Sequence, residues 1–386
     1  MGWARQPAAV ADMPEPPVMS RWLWAAALAG LTGLLLFLLH ASGRMPFMQA
    51  FDIRVFSGSP LLIWVLAFGA RAYTYGRALA HYRFLEEQAQ EAQQSWQTWA
   101  QRYMAVCASC VLLPDQVSVS RLTQGSSGLP PCTGRARRIA ALPAHPDRAR
   151  DGLQMLIQAL APSLKTLPEG QALRLTLLSD VGAAQYQSVR DALQQVWSAT
   201  LSRTLPATIT LSGELSYRWL EETLRTASTA MELILVVQVS GEEGYSDGLA
   251  ALLLCPDRLA DALTLPITAG LLRPMPLDIN LLGSELPQLL QTQIRAREAT
   301  ALLADDASWQ PLTSEILVTA AAHGGSLNVG QAWIQEALCG LPGPLGHWLV
   351  TALGVELVRH QRQPVLVLVR ERTTHWISTV TTGEWA

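Results

Sequence analysis

Trp22 to Leu39 reads WLWAAALAGLTGLLLFLL and holds no charged residue. A run of this kind approaches the ~20 apolar residues that a helix needs to cross a hydrocarbon core. A second apolar run goes from Pro60 to Ala70 and extends back to Val55. It is short for a span, and a buried or interfacial helix would read the same way. A cleaved leader is the competing reading of the first run. Against it, the segment before Arg21 is long, proline-rich and carries both charge signs.

Basic residues flank both runs. Arg5 and Arg21 precede the first, Arg44 and Arg54 lie between them with Asp52, and Arg71, Arg77 and Arg83 follow the second. The bias is slight and favours both ends inside. The expected anchor is therefore a hairpin in a bacterial inner membrane through residues 22–39 and 55–70, with the body in the cytoplasm. If only the first run spans, the body is periplasmic.

With 386 residues the chain has room for about two domains. The expected division is a tail and transmembrane hairpin over 1–72, an amphipathic helix and Gly/Pro-rich linker over 73–146, and an α/β domain over 147–386. The net charge of -3 gives no electrostatic reason to bind nucleic acid. The five cysteines, Cys107, Cys110, Cys132, Cys255 and Cys339, are an odd and sparse set. They fit reduced thiols rather than a secreted disulfide framework.

From Ala72 to about Ala105 a stripe of Phe84, Leu85, Trp96, Trp99 and Tyr103 runs beside Glu86, Glu87, Gln90 and Glu91, close to helical spacing. Cys107-Ala-Ser-Cys110 then falls at the end of this helix. A zinc site would need a second Cys or His pair, and Cys132 stands alone. The expectation is buried structural thiols, no metal and no cofactor. Gln124 to Pro146 reads as a linker in which Arg135, Arg137 and Arg138 are solvated.

Beyond Asp147 helix and strand patterns alternate. Helices are expected over 152–164, 187–201, 217–229, 257–263 and 286–303. Strands are expected over 172–178, 207–211, 232–239 and 247–254, the last two as a hairpin at a sheet edge. A closing hairpin is expected over 364–369 and 376–381. Such alternation implies a layered α/β domain.

The stretch Glu315 to Val358 carries the chemistry that remains. A strand-like run, Ile316 to Val318, ends in a glycine turn with His323; a helix pattern, a Pro/Gly break and a second helix starting at Gly346-His347 follow. With Gly330, Glu336-Ala337-Leu338, Leu349, Ala352 and Gly354, this resembles the C-terminal half of thiolase-like, β-ketoacyl-synthase-type enzymes. The resemblance implies an α/β/α layered body, a cysteine on a strand-to-helix turn, and two histidines that stabilise an oxyanion and move protons. The cysteine has no counterpart, because residues 133–254 contain none. Gly325 and Leu327 replace the two threonines of the first histidine motif. Without the thiol, His323 reads as a local cap and His347 as a packed neutral ring disfavoured from charging by its helix dipole. Ser179-Asp180 lacks a nucleophile-elbow setting for hydrolysis.

A narrower resemblance covers Ser95 to Gln116, Ser240 to Leu254 and His323 to Val358, together with the hydrophobic hairpin. It is to the type VI lipase adaptor family of Gram-negative bacteria. That resemblance implies a non-catalytic, membrane-anchored adaptor with no catalytic residue, recruiting a phospholipase effector in the cytoplasm and targeting it to the secretion spike. The alternatives are an acyl-transferring enzyme using Cys255 or Cys339, and a structural inner-membrane subunit of the secretion apparatus.

Overall fold

A computed structural model describes residues 2–3, 12–43, 52–123, 132–143, 147–168, 170–226 and 228–383. The chain divides into two compact units, residues 6–95 and residues 96–386 with 1–5. In the first unit, α1 (Met19–Ala41) and the start of α2 (Ile53–Ala100) are long and apolar enough to cross a membrane. They lie against each other. The Trp64 indole N–H donates to the Trp22 carbonyl at 3.0 Å, and Trp22 meets Phe68 edge-on at 5.3 Å. A Cβ on Gly33 would fall 2.6 Å from the Ser57 carbonyl, so glycine permits this approach. Most of the connection, residues 44–51, lies outside the described residues.

The body begins earlier than the sequence suggests. The helix stops at Ala100 rather than near Ala105, and Cys107 and Cys110 lie in strand β1 (Tyr103–Leu112) rather than at a helix end. Residues 124–131 and 144–146 of the expected linker lie outside the described residues. Within it, Arg137 pairs with Asp115 at 3.0 Å and Arg138 with buried Asp247 at 2.7 Å, so these two cations are not simply solvated.

The remaining strands are β2 (Leu173–Ser179), β3 (Thr208–Ser212), β4 (Met231–Gln238), β5 (Gly248–Pro256), β6 (Ala269–Leu272), β7 (Met275–Leu277), β8 (Ala301–Ala304), β9 (Ala332–Ile334), β10 (Val365–Glu371) and β11 (Thr374–Thr382). The helices are α3 (Val119–Thr123), α4 (Arg148–Lys165), α5 (Tyr186–Thr200), α6 (Arg218–Arg225), α7 (Asp257–Leu263), α8 (Leu282–Thr292), α9 (Ile294–Arg297), α10 (Gln310–Ala322), α11 (Gln335–Cys339) and α12 (Gly346–Gln361). Among the described residues one 11-stranded sheet forms in the order β3-β2-β4-β5-β1-β6-β11-β10-β8-β9, with β7 added on β11.

That order is one arrangement used twice. In the first half β2 runs parallel to β3 and β4, β4 is antiparallel to β5, and β5 to β1. In the second half β8 runs parallel to β9 and β10, β10 is antiparallel to β11, and β11 to β6. The halves meet where β1 and β6 pair antiparallel. The β4–β5 hairpin is therefore internal to the sheet, not at its edge. Both strands are buried along their whole length, as expected of strands covered on both faces.

Alternating side chains sort into layers. Ile234, Val236, Leu252, Val365, Val367 and Val380 face a core shared by both halves, which also holds α12 and α6. Leu233, Leu235 and Leu253 face α4 and α5, while Leu366 and Leu368 face α8 and α10. Helix α12 is buried nearly all round, which its small apolar residues allow. A Cβ on Gly354 would already lie 2.9 Å from Val367 Cγ2.

Three expected elements are corrected. Ile316 to Val318 lie inside helix α10, not in a strand. The helix expected over 286–303 breaks after Thr292, and Ala301–Ala304 is strand β8. The helix pattern before the Pro/Gly break is in fact β9 followed by the short α11.

Candidate functional site

The two-fold arrangement pairs α6 with α12. Helix α6 lies between β3 and β4 and α12 between β9 and β10, the equivalent strands of the two halves, and each starts at the shared core. The turn before α6 carries Leu215, Ser216 and Tyr217. The Leu215 carbonyl accepts the His347 Nε2–H at 3.0 Å and the Trp348 Nε1–H at 2.9 Å. A carbonyl only accepts, so His347 is the Nε2–H tautomer. Burial holds its pKa below the ordinary imidazole value, against the opposing pull of the Leu215 hydrogen bond and Glu371.

Tyr217 is enclosed by the body, while Ser216 beside it is exposed. Tyr217 is fully buried, with its hydroxyl 3.0 Å from Ser378 Oγ and 3.2 Å from Thr351 Oγ1. Its ring lies 5.8 Å from that of Trp348 and 6.3 Å from that of Trp376. Glu371, at the end of β10, accepts both the Ser216 hydroxyl and the Tyr217 amide at 3.0 Å. Arg372 of the β10–β11 turn pairs with Glu214.

Asp305 follows β8 at the same level. Its Oδ1 accepts the Trp309 indole N–H at 3.0 Å and its Oδ2 the Arg370 amide at 2.8 Å. Burial pushes its carboxyl up to about 7 despite those two donors. Glu336 takes the Ala307 amide at 2.8 Å and the Gly134 amide at 3.2 Å, fixing the adjacent loop.

His323 is not part of this constellation. It ends α10 in the outer layer, exposed, with Nδ1 on the Thr319 carbonyl at 2.9 Å. His347 sits in the shared core instead. The structure does not bring the two together as a pair. Cys107 and Cys255 pack in the layer of α4 and α5, and Cys339 in the shared core. Cys255 ends β5 on the α4 side, and burial pushes it up to about 12, as it does Cys107; Cys339 is raised as well. Thiols held protonated are poor nucleophiles. Ser179 is fully buried, and Asp180 accepts the Ser240 amide at 2.7 Å and the Tyr245 hydroxyl at 3.1 Å. Among the described residues no three metal-ligating side chains cluster.

Sequence reasoning missed Leu215–Tyr217 and Asp305. The first had a signal, since a strand pattern over 207–211 is followed directly by a helix pattern. The second was hidden because a four-residue strand was absorbed into a neighbouring helix.

The duplicated mixed sheets enclosing a central helix layer decide the fold. The body is thiolase-like. A ketosynthase domain of oxazolomycin biosynthesis from Streptomyces albus is similar at 13% identity, with 73% of this chain and 95% of that chain covered and a TM-score of 0.50. The ketosynthase of module 1 of the bacillaene synthase from Bacillus amyloliquefaciens is similar at 9% identity, covering 75% of this chain and 77% of that one, also at 0.50. No family model and no curated protein matches the chain.

These neighbours correct one expectation. A non-enzyme is expected from the missing thiol, yet both solved structures above are ketosynthases, so the chain has a fold that enzymes use.

Proposed function

We propose that the chain is a membrane-anchored adaptor of a type VI secretion system, which recruits a phospholipase effector on the cytoplasmic side and targets it to the secretion spike. The observation that supports it most is the state of the turn facing His347. Leu215, Ser216 and Tyr217 are bonded into the body through carbonyl, hydroxyl and amide. A substrate carbonyl entering there would have to displace the His347 ring and the Tyr217 side chain. The outer surfaces remain for partner recognition. Helices α1 and α2 supply the anchor, and the family resemblance supplies the partner class.

Acyl transfer is the second reading, and the fold shared with ketosynthases favours it. The two are separated by parallel measurements on the full chain in detergent. Affinity capture from the native host should bring down a phospholipase and a spike protein. Incubation with an acyl-CoA followed by intact mass measurement tests the acyl-transfer reading. An acyl adduct, without a captured lipase, would overturn the adaptor reading.

A further inference from the structure

The segment ahead of α1 is fastened to the body. Trp3 is only 7% exposed and belongs to the core that α8 builds with Leu282, Leu286 and Leu289. Its indole N–H donates to the Pro274 carbonyl at 3.2 Å, and its own carbonyl accepts the Gln288 amide at 2.8 Å. Its ring meets Trp99 edge-on at 5.3 Å, while the Arg273 guanidinium lies over Trp99 at 4.1 Å. The Gly2 amide donates to Glu285 at 2.5 Å. A Cβ at Gly2 would lie 2.9 Å from Gln288 Oε1 and 3.3 Å from Glu285, so the site is shaped to glycine.

This placement constrains how the chain meets a membrane, given the reading of α1 and α2 as spans on which it rests. Residues 12–18 are not helical, and Pro7, Pro14, Pro16 and Pro17 crowd the segment between Trp3 and α1. Irregular backbone does not cross lipid, because its amides would lose their partners. Residues 12–18 therefore stay in water, and the eight residues between Trp3 and Asp12 are too few for the ~20-residue helix that crosses a hydrocarbon core, so α1 starts on the side where Trp3 is bound.

We propose that the Gly2–Trp3 contact is a topological latch: it holds the segment before α1 on the body's side, so that the chain crosses the membrane twice, once through α1 and once back through α2. The latch excludes the single-span arrangement, in which the leading segment and the body face opposite compartments.

The test uses the full chain in native membranes. One version carries a protease-cleavable epitope after Arg5, another the same epitope after Gly383. In sealed vesicles of one orientation both should be cleaved, and in the opposite orientation both protected. Cleavage of the two from opposite faces would overturn the latch while leaving membrane anchoring intact. Release of the chain by alkaline carbonate washing would overturn both readings. Trp3→Ala should keep the sidedness but raise the cleavage rate at the leading epitope about tenfold, because the latch opens locally. An unchanged rate would show that Trp3 fastens nothing.

Discussion

His347 and Asp305 titrate in opposite senses. Burial lowers the histidine's pKa, so the fold prefers the neutral ring while the unfolded chain charges near ~6.5. Its contribution to stability is complete above about pH 6.5 and is lost as the pH falls below that value. Asp305 is raised by burial to about 7, so its contribution is complete below the unfolded carboxyl value of ~3.9 and is lost as the pH rises from there to about 7. His347→Gln keeps an N–H for the Leu215 carbonyl and removes the titration. Its unfolding midpoint should drop less than that of the native chain between pH 7 and pH 5. An equal drop would show that the native ring is not held neutral. Tyr217→Phe should cost about 1 kcal/mol by removing the hydroxyl from Ser378 and Thr351. Tyr217→Ala should cost about 3–5 kcal/mol, the scale for emptying a buried aromatic site. Both are read by denaturant unfolding. At this scale the sequence was only partly legible. Gly346-His347 announced a helix start, and the structure puts the ring in the core there. Leu215 acts through its backbone carbonyl, which no residue type reveals. His323 was misplaced because Ile316, Leu317 and Val318 are β-branched or bulky, and a short apolar run does not distinguish strand from helix. Pro311 at the helix start and the alanines at 320–322 settle it as α10.

Among elements, those with long patterns were readable and the short or central ones were not. Strands β4 and β5 stood out as continuous apolar runs, and β10 and β11 as a closing hairpin. Strand β1 did not, because Tyr103 continues the aromatic stripe of α2, and only pairing with β5 and β6 on both sides makes the segment extended. Strand β8 spans Ala301–Ala304, too short to show a period, and it is fixed by its neighbours β9 and β10. Two close approaches make element-scale predictions. Gly354→Val forces a side chain against Val367 between α12 and β10, and should destabilise the body by about 1–3 kcal/mol as overpacking does. Its thermal unfolding midpoint is the readout. In the anchor, Gly33→Leu should separate α1 from α2 at Ser57, since small residues are what let apolar helices approach. The Trp64 indole would then leave the Trp22 carbonyl. Its emission in detergent should shift relative to the native chain, and an unshifted spectrum would contradict the packing.

For the whole molecule, the repeated strand order and the shared core around α12 carry the fold, and a two-helix unit precedes it. The duplication was not visible in the sequence, since it lies in pairing directions rather than in repeated residues. The first long apolar helix was visible, because an uncharged apolar run states its requirement without help from the rest of the chain. The central claim is that this thiolase-like body serves to hold a protein partner at a membrane. The most direct measurement is affinity capture of the full chain from detergent-solubilised native membranes, with stoichiometry read by quantitative mass spectrometry. A phospholipase recovered at a near-constant ratio to the chain, and lost when α1 and α2 are left unchanged but the chain is denatured before capture, is the predicted result. Recovery of the intact native chain with no phospholipase would contradict it.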